Sequence, residues 1–338
     1  MDSQPGSAVP KQNPGASAPS IESRTPRDSA APDPHVGPPS SPTGSAKRRL
    51  ALPYARIRMA PALLDSSLDE IPPGFVPLWF HNQRIGAVCP RWIPHLDPRL
   101  FELDIDGARS RVRMAAVDRR AGQAPEAARF DARLHDWASA LKSRGLLPGW
   151  RDEKVEIFGA SPDAPLFTVE RALLRPLGLL LRTVQVNVFT FTAGAIRVWS
   201  ARRSPNKTVD PGLLDSLVSG GIGHDETPLE AMFREAAEEA GMERQLSRCA
   251  LPSGIMDSSS VCHDGFSHLL HRERMHVFDL QVPPDFMPTH PDRETESSAL
   301  LDPDTLMTQI KQGLWTREGA WASLNLIQRH RSGKLRCR

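Results

Sequence analysis

Glu235, Glu238 and Glu239 stand at i, i+3 and i+4 in the run Arg234-Glu-Ala-Ala-Glu-Glu-Ala-Gly241. On a helix that spacing turns three carboxylates toward one side. The helix is marked out by its own ends. Thr227 can cap it, Pro228 fits its first position, Glu230 completes a capping box and Gly241 supplies the stop. Leu229, Met232, Phe233, Ala236 and Ala240 form the expected buried stripe. Three like charges near a helix C-terminus repel one another and oppose the dipole. A divalent cation removes that cost, and hard carboxylate oxygens suit Mg²⁺ or Mn²⁺, which bind a few carboxylates together with substrate phosphates. A solvated acidic face carries the same cluster with no ion, and the three residues alone do not separate the two readings.

The surrounding pattern does. Gly220, five residues, Glu226, seven residues, then Arg234-Glu235-Ala236-Ala237-Glu238-Glu239-Ala240-Gly241-Met242 resembles the complete Nudix box. Seven fixed positions at average composition meet by chance roughly once in 10⁸ starting points. The resemblance implies an α/β (α+β) Nudix fold, a mixed sheet between helices, and hydrolysis of a diphosphate linked to an organic group. It implies Glu235, Glu238 and Glu239 as metal ligands for Mg²⁺ (or Mn²⁺), with a loop carbonyl near Ser219 or Gly220 completing the set. Glu226 and Arg234 match the family's structural ion pair. Glu239 is one candidate base for the attacking water, and Nudix enzymes also use a glutamate from a later loop, here Glu294 or Glu296. Arg202, Arg203 and Lys207 are the cations expected to grip phosphate.

A broader likeness covers roughly residues 60–330. The upstream segment, Pro148-Gly-Trp-Arg-Asp-Glu153, Trp199-Ser-Ala-Arg-Arg-Ser204 and Pro211-Gly-Leu-Leu-Asp-Ser-Leu-Val218 resemble one Nudix subfamily. Its members carry a domain of thiamine-pyrophosphokinase-associated type before the Nudix domain. The expected substrate is therefore thiamine diphosphate or its oxidised analogues, cleaved to the monophosphate and phosphate. The box handles the diphosphate and not the organic group. Nucleotide sugars, ADP-ribose and other nucleoside diphosphate derivatives stay open as alternatives, as does a non-catalytic ligand-sensing module, which typically lacks box glutamates.

The elements that must position these residues begin at about residue 182. Thr183–Phe191 alternates and is rich in Val, Phe and Thr, which predicts a strand, and Ala195–Ala201 predicts a second. Met275–Gln281 predicts another strand, Pro283–Pro291 a loop, and Pro303–Gln312 and Glu318–His330 closing helices. Cys262, His263, His268, His271 and His276 only graze zinc-ligand spacing and are expected in a mobile loop. Upstream, Phe75–Phe80, Ser110–Val117 and Glu153–Phe158 read as strands. Phe130, Leu134, Trp137 and Leu141 mark an amphipathic helix stopped by Gly145-Leu-Leu-Pro-Gly149. Trp79, Trp92, Trp137 and Trp150 are expected in its core. The domains are thus 53–180 (a small α+β domain) and 182–332 (the Nudix domain).

Residues 1–50 hold 10 of the 32 prolines with 9 serines, a composition that cannot offset its ordering entropy and predicts a disordered tail. Lys+Arg 42 against Asp+Glu 40 gives a net charge of +2, so no basic field argues for nucleic acid. The expected partner is a small-molecule organic diphosphate. No apolar run reaches the ~18–20 residues that span a bilayer, so no membrane partner is expected. Four scattered cysteines without a C-x-x-C pair read as reduced thiols of a cytoplasmic protein.

Overall fold

Strands before residue 180 are short, and the longest ones begin at or beyond it. The computed structural model of the protein describes residues 68–104, 110–115, 124–161, 164–207, 209–263, 268–291 and 294–336. The expected tail, residues 1–50, lies outside them. In the first part β1 (Val76–Phe80), β2 (Gln83–Val88), β3 (Phe101–Asp104) and β4 (Arg111–Met114) form a sheet in the order β2-β1-β4-β3. The predicted helix is α1 (Ala124–Ser143), and β5 (Lys154–Phe158) pairs with β6 (Pro165–Glu170) as a hairpin. Phe130, Leu134, Trp137 and Leu141 are buried, which is what their spacing predicts. Phe80 packs 5.8 Å from Phe130 and 5.1 Å from Phe167, ring centre to ring centre. Trp92 and Trp137 are core residues, and Trp79 and Trp150 are half-buried.

The second part is built on β7 (Leu180–Thr192) and β8 (Ala195–Arg203), followed by the short β9 (Leu214–Ser216) and β10 (Val218–Gly221). After α2 (Pro228–Ala240) and α3 (Arg244–Ser247) come β11 (Leu251–His263), β12 (His268–Gln281) and β13 (Thr295–Leu301), then α4 (Pro303–Lys311) and α5 (Arg317–Arg331). The sheet runs β11-β12-β7-β8-β13, with β10 on β7 and β9 on β8. Only β12 and β7 pair in parallel, so the sheet is mixed.

Alternation along β7 separates two helical layers. Val184, Val186 and Val188 pack with Ala231, Met232 and Ala236 of α2. On the next position of the same strand, Phe189 packs with Leu326 and Ile327 of α5. Between them Thr183, Gln185 and Asn187 are buried polar residues, and each is paired: with Glu273 (2.6 Å), Asp215 (3.2 Å) and Asp279 (3.0 Å). Arg329 of α5 closes on Asp279 with both terminal nitrogens. A buried polar group without such a partner is costly.

Residues on either side of the expected boundary at 180–182 share hydrogen bonds. Arg272 of β12 donates to the carbonyls of Ile85 (2.9 Å), Gly178 (3.1 Å) and Leu68 (2.8 Å), and burial lowers its pKa to about 10. The stretch expected as a mobile loop is corrected here: Cys262 and His263 end β11, and His268, His271 and His276 lie in β12. The Ser- and His-rich composition hid a hairpin whose partners are supplied by β7. Among the described residues no helix is long and apolar enough to cross a membrane.

Candidate functional site

Local sequence fixes α2. Thr227 and Glu230 form the reciprocal capping box, with Thr227 N–H donating to Glu230 Oε2 at 2.9 Å and Glu230 N–H to Thr227 Oγ1 at 3.3 Å. Gly241 ends the helix at φ 61°, a left-handed conformation that favours glycine. Beyond it, His290 Nδ1 lies 2.8 Å from the Glu239 carbonyl, and Thr289 N–H donates to the Ala240 carbonyl at 3.1 Å. Met232, Ala236 and Ala240 are buried as their spacing predicts. Leu229 is not: it is 47 % exposed.

Glu226 and Arg234 meet as a two-pronged pair, with Nε–Oε1 and Nη2–Oε2 both 2.8 Å. Arg234 Nη2 also reaches the Gly221 carbonyl at 2.9 Å, and its Nη1 reaches Glu235 Oε1 at 2.7 Å and Glu238 Oε2 at 3.2 Å. One guanidinium therefore ties the end of β10 and Glu226 of the loop after it to two glutamates of α2. Its hydrogen bonds, with that of the Gly223 N–H, hold the Glu226 carboxyl below its usual range.

The three helix glutamates are not brought to one point. Ligand oxygens of Glu235, Glu238 and Glu239 do not form a group within 4.8 Å among the described residues. Glu235 and Glu239 line a cavity of about 1060 Å³, whereas Glu238 is half exposed and lines an adjoining one of about 670 Å³. Glu239 is buried, and Ser219 N–H donates to its Oε2 at 2.7 Å. Burial, and then the charge of Glu235, push its carboxyl well above the ordinary range. Burial raises Glu235 too, against the pull of Arg234. Glu235 packs against Gly220, where any Cβ would collide with the carboxyl group, so this position needs glycine for close approach rather than for its φ.

Buried Glu239, whose ionisation the charge of half-buried Glu235 opposes, fits together with Glu235 a hard divalent cation, whose binding would favour the ionised state of both. Gly220 sits in β10 beside Glu235, in register with Val184 of β7. Lys207 is ion-paired with Glu294, and both line the larger cavity. Arg203 lines it as well and holds Asp215 at 3.1 Å. Two expected site residues do not join them. Arg202 donates to the Gly212 carbonyl at 2.7 Å and is absent from the lining, because neighbours on a strand point to opposite faces. Glu296 is exposed on β13, also outside the lining.

Sequence reading missed a second polar group in the same cavity. His271 Nε2 lies 2.8 Å from Glu273 Oε2, Thr183 Oγ1 donates to Glu273 Oε1 at 2.6 Å, and Arg175 Nε donates to His271 Nδ1 at 3.4 Å. Glu318, at the start of α5, completes a group with ligand atoms within 4.8 Å. The available signal was the i, i+2 placement of His271 and Glu273, which puts both on one face of a strand.

Residues 181–319 match the family model described as NUDIX domain. Among curated proteins, Nudix hydrolase 24, chloroplastic, of Arabidopsis thaliana is 31% identical over 161 residues, covering 48% of this chain and 43% of that protein. Nudix hydrolase 20, chloroplastic, of the same plant is 29% identical over 177 residues, covering 52% and 46%. The chain thus spans less than half the length of these two relatives. Among solved structures, a crystal structure of a Deinococcus radiodurans protein covers 51% of this chain and 97% of its own, at 23% identity and a TM-score of 0.37.

Proposed function

We propose that the NUDIX domain matched by residues 181–319 makes this protein a divalent-metal-dependent diphosphate hydrolase. Its proposed substrate is thiamine diphosphate or an oxidised analogue, cleaved to the monophosphate and inorganic phosphate. The observation that carries the reading is the pair of half-buried Glu235 and buried Glu239 opening into one cavity with Lys207, Arg203 and Glu294. Opening a P–O–P bridge requires negative charge to be balanced on non-bridging oxygens and a water to be held in line. A Mg²⁺ or Mn²⁺ ion held by Glu235 and Glu239, with Glu238 beside them, would supply that charge balance. Ser219 N–H fixes the Glu239 carboxylate, and Arg234 fixes Glu235, so neither ligand must reorganise during the reaction.

Lys207, ion-paired with Glu294, and Arg203, held by Asp215, both line the cavity and are the cations proposed to meet the diphosphate. Glu294 is the proposed acceptor of the water proton, because it lines both cavities and so borders both the ligand pair and Glu238. The thiamine assignment is supported by the sequence likeness that extends upstream of the box, beyond what the box itself addresses. The test is a turnover panel on the full chain with Mg²⁺, using thiamine diphosphate, its oxidised analogues, ADP-ribose and nucleoside diphosphate sugars. Thiamine monophosphate should appear with one phosphate per turnover. Cleavage of ADP-ribose with none of any thiamine diphosphate species would replace the substrate assignment.

A further inference from the structure

Arg151 and Arg171 precede the residues matched by the NUDIX model, and both line the cavity of about 1060 Å³ and the adjoining one of about 670 Å³. Among the described residues, Gly221, Glu235 and Glu294 are the others that line both. The two arginines therefore stand at a junction shared with a proposed metal ligand and the proposed acceptor of the water proton. Local bonds hold this corner in place. Lys142 of α1 covers Trp150, its Nζ lying 4.6 Å from the ring centre. Arg151 N–H donates to Oε1 of buried Glu170 at 3.3 Å, and the same oxygen takes the Ala172 N–H at 3.4 Å. Asp152 follows at φ 59°, a left-handed conformation sparsely populated by non-glycine residues. Glu153 then meets Arg171, with both carboxylate oxygens 2.9 Å from Nη1. The Arg171 guanidinium lies on the end of β10, where a Cβ on Gly221 would stand 3.1–3.4 Å from three of its atoms.

The cations of the larger cavity differ in what they already hold. Arg171 is balanced by Glu153, Arg203 by Asp215 and Lys207 by Glu294. Arg151 is exposed and forms no ion pair among the described residues. Solvated arginines are ordinary on a surface, but the backbone of this one is tied down at the junction of two ligand cavities. A guanidinium presents a planar fork of donors that matches two phosphate oxygens. Fixing its backbone beforehand reduces the ordering cost of gripping a ligand. We propose that Arg151 is a substrate-binding residue that grips non-bridging oxygens of the diphosphate, so that the chain before residue 180 completes the site. This rests on the reading of the cavity as a diphosphate-hydrolase site and adds a residue from outside the matched region. Arg171, with its charge balanced by Glu153, is the wall between the Arg151 segment and β10.

The test uses the full chain with Mg²⁺ and whichever diphosphate substrate the wild type cleaves. Arg151→Gln should lower kcat/KM at least tenfold with an unchanged melting temperature. Arg151→Lys should fall between that variant and the wild type, because it keeps the charge and loses the fork. Arg129→Gln, on the exposed face of α1 and outside both linings, should stay within twofold. No loss in Arg151→Gln, or an equal loss in Arg129→Gln, would overturn the assignment. Calorimetry with imidodiphosphate, whose nitrogen bridge resists hydrolysis, separates this idea from the hydrolase reading. If no substrate is cleaved, imidodiphosphate binding with Mg²⁺ that weakens at least tenfold in Arg151→Gln still supports the contact. Binding that is absent from the wild type, or equal in both proteins, overturns it. A measurement on the wild type alone covers a variant that fails to fold. Imidodiphosphate with Mg²⁺ should shield Arg151 from phenylglyoxal, read by peptide mass spectrometry, and undiminished labelling would also overturn the proposal.

Discussion

Ser219 donates its backbone N–H to the Oε2 of Glu239 at 2.7 Å, so the strand before α2 clamps the most deeply buried glutamate of the helix. The bond stabilises the ionised carboxylate, while burial and the charge of Glu235 oppose it. Glu239 is thus positioned by the backbone and left short of positive charge.

Glu239→Gln should hold or raise the melting temperature of the metal-free protein, because a buried charge and its repulsion are removed. Turnover should fall by orders of magnitude and Mg²⁺ affinity should drop. Glu238→Gln, on a half-exposed side chain across Arg234, should cost less. Rates against Mg²⁺ concentration decide the matter, and full activity of Glu239→Gln would remove this residue from the site.

Gly220→Ala places a Cβ against the Glu235 carboxyl. Overpacking of this kind costs about 1–3 kcal/mol, and here the atom that must give way is a proposed ligand. Activity should therefore fall further than stability. Thermal unfolding and turnover measured on the same preparation check the ratio, and a fully active, unshifted variant would show that Glu235 has room to spare.

Glu226 is held below the usual glutamate value of about 4.3 by Arg234 and the Gly223 N–H. A depressed folded-state pKa contributes stability that is fully present above the unfolded value and is lost as pH falls through the folded one. The stability gap between wild type and Glu226→Gln should accordingly be largest near neutrality and narrow below about pH 4.3. Urea midpoints from pH 3 to pH 7 test the sign, and a gap that widens in acid would contradict it.

Arg202 and Lys207 should separate in kinetics. Lys207→Gln should lower kcat/KM for a diphosphate substrate at least tenfold, since this cation lines the cavity. Arg202→Gln should stay within about threefold, because its guanidinium serves the Gly212 carbonyl outside the lining. The reverse order in steady-state assays would show that the two side chains exchange places when substrate binds.

Features that depend on neighbours along the chain are legible in the residues alone. The capping box at Thr227, the stop at Gly241, the Glu226–Arg234 spacing and the alternation of β7 are all set within a few residues or a few turns. The remaining features depend on partners far away in sequence. β11 and the part of β12 before Met275 became strands because β12 pairs in parallel with β7 about 90 residues upstream and β11 pairs with β12, and their local composition of Ser, His and charged residues carries little strand signal. The same separation hid Glu273, which meets Thr183 across 90 residues, and Glu318, which meets Ser258 across 60. Spacing within α2 put three glutamates on one side, but Ser219 and Arg234 divided them, drawing Glu239 inward and leaving Glu238 half exposed. A helix fixes the direction in which a side chain leaves the backbone, and the groups packed against it decide where its charge comes to rest.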